Sequence, residues 1–453
     1  MQPIVGADGQ KRIAGIDVHK RILAVVVRLE GDGQVVYEKR KFGTNRKEIE
    51  QHLAAWLQQH RVAEVVMEST AQYWRPLWYG LEPVGLALHL CNPLQVKAPR
   101  GKKRDYRDAQ RLADRWAAGD LEDSFVPGKE QREWRAMTRA RVHMKRKMGI
   151  NRCQVEGLLE QGSIKLTSVV SDVFGASGWG MLELIAKGET NVEVLVKEAR
   201  GSLRQKESKL KDALAGKLDA TYRLLLKQHM EQVELLRKQV EEIQEALTKA
   251  MSAHVPALVR LAKIPGVDLY AAQELLAEIG PKAAAFQTAE NFAGWVGLCP
   301  GSKESAGVNY SRRSAKGNRY LRRILSQIGW AAIRTKDSFF AGLFGRLKPR
   351  IEGRGAAWAV AHRIGKVIWL VLHEEVEYKE MGSGKVSLQS LHRKYRRLMK
   401  EFARWRQVFC VNGCFCPSAA GFLGGGKVEI LLLDFHFSRA HSSFGFSSSF
   451  NFY

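Results

Sequence analysis

The sequence predicts a mixed α/β domain at the N-terminus followed by an all-α remainder, on three observations. Residues 12 to 42 are rich in β-branched side chains and broken by a GDG turn, compact apolar runs then alternate with helical stretches as far as Pro93, and from Asp108 onward the apolar spacing turns helical. RIAGIDVHK and RILAVVVRLEG read as two strands, and QVVYEKRKF, alternating apolar and polar residues, as the third strand of a meander. A helical stretch near 45 to 60 precedes AEVVMES, a short apolar strand, and LALHLCNP is a further strand ended by Pro93. DAQRLADRWAAGD is helical and stops near a glycine, and residues 129 to 160, containing REWRAMTRARVHMKRK, continue as basic helix. Between 203 and 250, Leu226, Val233, Val240 and Leu247 stand seven apart with Leu236 and Ile243 offset by three, a coiled-coil-like register. That register serves an antiparallel hairpin within one chain as well as a dimer.

The domains expected are an α/β unit over 12–125, a helical and coiled-coil region over 126–254, a compact, Gly-rich and basic helical domain over 255–380, and a basic helix over 381–407. Residues 408–453 are rich in Phe, Ser, Gly and Cys without any period, and are expected to be an irregular, disordered tail. A chain ended at Gln407 is therefore expected to fold.

With 453 residues, 45% of them hydrophobic, the chain has material for two or three folded cores. A formal charge of +25 points to a polyanionic partner, nucleic acid first, but ribosomal and chromatin proteins share such a charge and it specifies no chemistry. No apolar run approaches the roughly 18 to 20 residues of a membrane span, and MQPIVGADGQKR lacks the apolar core of a signal peptide, so a cytoplasmic protein without membrane contact is expected. Cys91, Cys153 and Cys299 are isolated, and Cys410, Cys414 and Cys416 cluster in the tail without the second pair a zinc site needs.

Four carboxylates carry the chemistry. Asp17 lies inside a strand-forming run, where an acid is costly unless paired or bound to a metal. Glu68 follows the apolar run AEVVM, at the strand exit where α/β sheets place functional groups. Asp105 and Asp108 stand three apart at a helix start and share a face, suited to one Mg²⁺ ion (or Mn²⁺), although the same two residues would also serve as ordinary helix N-terminal acids. Lys97, Arg100, Lys102, Lys103, Arg104, Arg107 and Arg111 surround this pair, and phosphodiester chemistry needs acids for the ions and cations for the strand.

GIDVHK, MEST and KKRDYRDAQRLAD, in that order and spacing, resemble the RuvC-like, RNase H-type domain of the DEDD insertion-sequence transposases, the family numbered one hundred and ten. FAGWVGLCPGSKESAGVNYSRRSAKGNRYLRRIL resembles the C-terminal transposase domain of the same family in its eleven-eleven branch, and the likeness spans about residues 12 to 380. The resemblance implies that Ser305 attacks a DNA phosphate to form a phosphoserine link, while Asp17, Glu68, Asp105 and Asp108 hold Mg²⁺. It further implies a structured non-coding guide RNA, DNA element ends and targets as substrates, and a homo-oligomer, dimer or tetramer, acting at the prokaryotic nucleoid. LAKIPGVDLYAAQELLAEIG resembles a helix-hairpin-helix unit whose turn, with Gly266, presents backbone N–H groups to phosphate; plain helical packing would look the same. Arg312, Arg313, Lys316, Arg319, Arg322 and Arg323 follow Ser305 closely and are candidates for neutralising phosphate, and Ser302, Ser311 and Ser314 are its neighbours. Two other readings remain: a metal-dependent junction nuclease that needs the carboxylates but no serine, and a nucleic-acid-binding scaffold without catalysis.

Overall fold

The computed structural model describes residues 10–383 apart from 32, 69–70, 93–104, 302, 306–307 and 312–313. The expected helix at 381–407, but for residues 381–383, and the whole expected tail at 408–453 therefore lie outside the described residues, as do Lys102, Lys103, Arg104, Arg312 and Arg313. The chain divides into two compact units, one ending at Ala250 and one beginning at Met251.

The first unit is built on a five-stranded sheet. Strands β1 (Lys11–Val18), β2 (Ile22–Gly31) and β3 (Gln34–Gly43) form the expected antiparallel meander, and β4 (Glu64–Glu68) and β5 (Ala87–Cys91) add in parallel beside β1, giving the order β3-β2-β1-β4-β5. The connections into the parallel strands run through a π-helical turn (Glu48–Leu53) continuing into α1 (Ala54–Gln59), and through α2 (Trp74–Leu81). Helix α3 (Asp105–Ala117) returns across the sheet.

Alternation along the strands sorts the two faces. Ala14, Ile16, Val18, Val65 and Met67 join Leu53, Leu57 and Leu77 in the larger core. Ile13 and Val66 turn to the opposite face, where they pack with Cys91, Leu112, Ala113 and Trp116 under α3. Gly15 lies on that second face, and α3 passes so close that a Cβ there would sit 2.0 Å from the Ala109 carbonyl oxygen. Glycine at this position is a packing requirement. Helix α3 is also tied down by polar contacts: the Tyr37 hydroxyl donates to Asp114 at 2.7 Å, Arg28 lies 3.2 Å from the same carboxylate, and the Trp116 indole donates to Glu64 at 2.8 Å.

The rest of the unit is helical. The basic stretch forms α4 (Lys129–Gln161), followed by α5 (Ala176–Lys187), α6 (Glu207–Leu214) and α7 (Ala220–Ala250). Leu226, Met230, Val233, Leu236 and Leu247 are the buried positions of α7, which packs along α4 in the same chain. The pairing is antiparallel, with the Arg141 guanidinium reaching Gln244 and His229 2.9 Å from Asn151.

In the second unit, α8 (Val255–Ala262) and α9 (Leu269–Ile279) flank the IPGV turn, with Asp268 capping α9 through the Ala271 N–H. After α10 (Ala289–Val296), a short antiparallel hairpin of β6 (Lys303–Ser305) and β7 (Val308–Ser311) leads to α11 (Arg319–Arg334), whose cap Asn318 accepts from the Tyr320 and Leu321 N–H groups. The last helical span, α12 (Phe339–His373), contains Pro349 and is broken just beyond it at Ile351 and Glu352, where Glu352 takes a positive φ of 59°. No unbroken apolar run approaches the length of a membrane span, but one stretch of α12 is long and apolar enough by length and average composition; half of that window is buried, with Ala356, Val360, Ala361, Ile364 and Ile368 inside the domain core. Interruption by single charged residues hides the helix's apolar face when only unbroken runs are counted.

Candidate metal and phosphate sites

Register brings the first two carboxylates together. Ile16 pairs with Met67 in the parallel ladder, so Asp17 and Glu68 leave the same end of adjacent strands, and each is an even step from a residue packed under α3. Asp105 and Asp108 arrive on the first turn of α3, which the close approach at Gly15 lays over these strand ends. The grouping shows in the charge around Asp17. The Asp17 carboxyl is raised above the usual carboxylate range by burial first, while His19 pulls it down and the charges of Asp108, Glu68 and Asp105 push it up.

Two of the acids already have cations. The Lys41 ammonium donates to Asp105 at 3.2 Å and holds that carboxyl below its ordinary range, helped by His19, and Arg111 donates to Asp108 at 2.8 Å. Asp17 differs. Its Oδ2 is shielded from solvent and receives no hydrogen bond, and the nearest partner, His19 Nε2 at 3.1 Å, is itself without one. A buried carboxylate oxygen without a donor is an unfavourable group by itself. It fits a cation, and the surrounding oxygen donors fit a hard divalent ion.

Sequence reasoning missed Lys41 and left His19 unassigned inside the quoted GIDVHK. Lys41 lies on β3, 64 residues before Asp105, and no local spacing connects them. His19 carried a signal, since it follows Asp17 by two residues at a strand end and so shares its side of the chain.

In the second unit Ser305 ends β6, paired with Val308 across the hairpin. A shallow groove of about 610 Å³ beside α11 is lined by Ser314, Ala315, Lys316, Gly317, Arg319, Arg322, Arg323, Ser326 and Trp358. The four cations are not equivalent. Lys316 and Arg319 are exposed. Arg322 stacks on Trp358 at 4.7 Å and donates to the carbonyls of Gly297 and Ala315, and Arg323 pairs with Glu274 and Gln327. Arg322 and Arg323 thus brace the groove, while Lys316 and Arg319 are exposed at it, Arg319 lying over the Tyr320 ring and donating to its hydroxyl. Gly266, with φ +84°, approaches α11 so closely that a Cβ would meet the Ile328 carbonyl oxygen at 2.6 Å. Helix packing therefore accounts for glycine at this turn.

Two family models match this chain. One, a DEDD-type transposase model, covers residues 14–164, and the other, described as the transposase IS116/IS110/IS902 family, covers 259–342. The chain belongs to this family of transposases. A probable family 20 transposase of Pseudomonas aeruginosa is 24% identical over 331 residues, which is 70% of this chain and 85% of the relative. A putative transposase of Sinorhizobium fredii is 27% identical over 161 residues, 34% of this chain and only 40% of the relative. Among solved structures, Thermus thermophilus RuvC in complex with a Holliday junction substrate matches a quarter of this chain over 99% of its own, at 14% identity and a TM-score of 0.21.

Proposed function

We propose that the chain is an insertion-sequence recombinase that cuts and rejoins DNA, with Asp17, Glu68, Asp105 and Asp108 holding Mg²⁺ or Mn²⁺ and Ser305 as nucleophile. The observation that carries this reading is the convergence of the four carboxylates at one end of the sheet, centred on an Asp17 oxygen that lacks any donor. Divalent ions held there supply positive charge against the negative charge that develops on a reacting phosphodiester.

The protein's residues divide the remaining work. Asp17 and Glu68 fix their positions from strand ends, and Asp105 and Asp108 from the first turn of α3. Lys41 holds the Asp105 carboxyl below its ordinary range and Arg111 donates to Asp108, and both cations stand where a DNA phosphate approaching the carboxylates would meet them. In the covalent step the Ser305 Oγ–P bond forms and the bond from phosphorus to a deoxyribose oxygen breaks. The serine proton passes to a base and the departing oxygen takes up a proton. One phosphate ester replaces another, so the bond energy is kept and reversal rejoins strands without any external energy source. Lys316, Arg319, Arg107 and the neighbouring Lys102, Lys103, Arg104, Arg312 and Arg313 contribute sequence-independent phosphate contacts, as does the turn at Gly266. A structured guide RNA would then select the DNA sites, in a dimeric or tetrameric assembly; the excess of 25 positive charges suits a protein that holds two polyanions at once.

The test is to incubate wild type and Ser305→Ala with element-end DNA and Mg²⁺, denature, and look for protein covalently attached to DNA. An adduct confined to the wild type is expected, and an adduct that survives in Ser305→Ala overturns the serine assignment. Cleavage without adduct indicates a hydrolytic junction nuclease, and neither product indicates a scaffold.

A further inference from the structure

We propose that His19 is a nitrogen ligand of the carboxylate site, making it a mixed nitrogen and oxygen centre that ranks Mn²⁺ above Mg²⁺. The inference rests on the metal reading above and adds to it a ligand outside the four carboxylates.

The geometry comes first. His19 Nε2 lies 3.1 Å from Asp17 Oδ2 and 3.6 Å from an Asp105 oxygen, and one donor atom from each of the three residues fits within 4.8 Å of the others. In a six-coordinate ion with ligand bonds of about 2.1 Å, adjacent donors stand about 3.0 Å apart and opposite ones about 4.2 Å. The observed separations fall near this range.

The hydrogen bonding supports the same assignment. Both atoms of the closest pair, Asp17 Oδ2 and His19 Nε2, are shielded from solvent and neither has a hydrogen-bond partner. The imidazole nitrogen stands near oxygens of both Asp17 and Asp105 rather than beside one carboxylate alone. The backbone holds it there, because the His19 N–H donates to the Ile22 carbonyl at 3.1 Å and fixes the turn that follows β1.

Chemistry then sets the preference. Mg²⁺ selects oxygen donors and keeps its waters, whereas imidazole favours the transition ions, and neutral histidine is their commonest protein ligand. A site with three or four carboxylates and one imidazole therefore binds either ion but holds Mn²⁺ more tightly.

The experiment titrates the full-length protein with Mn²⁺ and follows free ion by its EPR signal, then records electron spin-echo envelope modulation on the bound ion. Bound Mn²⁺ with directly coordinated ¹⁴N modulation is expected in the wild type and its absence in His19→Ala. Mn²⁺ affinity in that variant should fall on the order of tenfold, with Mg²⁺ competition nearly unchanged. Mn²⁺ that binds the wild type without nitrogen modulation overturns the ligand assignment and leaves the carboxylate site standing. No stoichiometric Mn²⁺ binding at all overturns both. Because the spectroscopic result is read on the wild type, it does not depend on the folding of a variant.

Discussion

Two residues show how narrowly the carboxylate site is specified. Asp105 is already ionised, held below its ordinary range by Lys41, so replacing it removes a charge that is present at neutral pH. Asp105→Asn should lower strand cleavage by at least about a thousandfold and leave DNA binding nearly intact, as measured by cleavage and gel-shift assays on the same preparation. Unchanged cleavage would remove it from the ligand set. Gly15 makes a different prediction. A methyl group there would sit 2.0 Å from the Ala109 carbonyl, and the atom in the way belongs to backbone, so only a shift of α3 can relieve the clash. Gly15→Ala should cost about 3 kcal/mol of stability or more. It should also weaken Mn²⁺ binding, since Asp105 and Asp108 move with the helix. Chemical denaturation combined with metal titration checks both effects, and a variant of wild-type stability would show that α3 has room to move.

At the scale of elements, α3 is held at its far end by a buried charged cluster. His89 on β5 lies 2.9 Å from Asp123 and 3.2 Å from Glu64, and stacks on Trp116, whose indole donates to Glu64. Burial opposes the imidazolium, but the hydrogen bonds to Asp123 and Glu64 outweigh it and hold the histidine up to about 9. A histidine raised above its unfolded value near 6.5 stabilises the fold in full below that pH, and the contribution disappears as pH rises through about 9. Melting temperature should therefore fall between pH 6.5 and 9.5 in the wild type, and His89→Gln should flatten this slope; equal slopes in the two proteins would discard the assignment. None of this cluster was legible in the sequence, because Glu64, His89, Trp116 and Asp123 are local strangers joined only by the sheet. The strands were legible, because alternation of β-branched residues reports a local conformation, and Asp17 stood out as a candidate, because an aspartate inside a strand is out of place. Lys41 and the cluster depend on register between distant segments, which no spacing in one segment encodes. The heptad positions of α7 were likewise visible, but whether their partner was α4 or a second chain was decided by packing.

For the whole molecule, the division at Ala250 assigns the carboxylates to one compact unit and Ser305 to the other. The net charge of +25 predicts that affinity for DNA falls steeply with salt, by about a thousandfold or more between 50 and 200 mM if six or more phosphates are contacted. A salt-independent affinity would argue against phosphate-driven binding. The division makes a sharper prediction. Each of the cores around the sheet and around α4 and α7 is completed by residues before Ala250, so a fragment of residues 1–250 has what it needs to fold. It contains Asp17, His19, Glu68, Asp105 and Asp108, and should unfold cooperatively and bind Mn²⁺ with the affinity of the full chain. It lacks Ser305 and should form no covalent adduct with element-end DNA. Circular dichroism melts, Mn²⁺ titration and the denaturing adduct assay on one preparation separate the cases. A folded fragment that binds no Mn²⁺ would show that the metal site needs groups from beyond Ala250, and an adduct would show that a nucleophile other than Ser305 is at work.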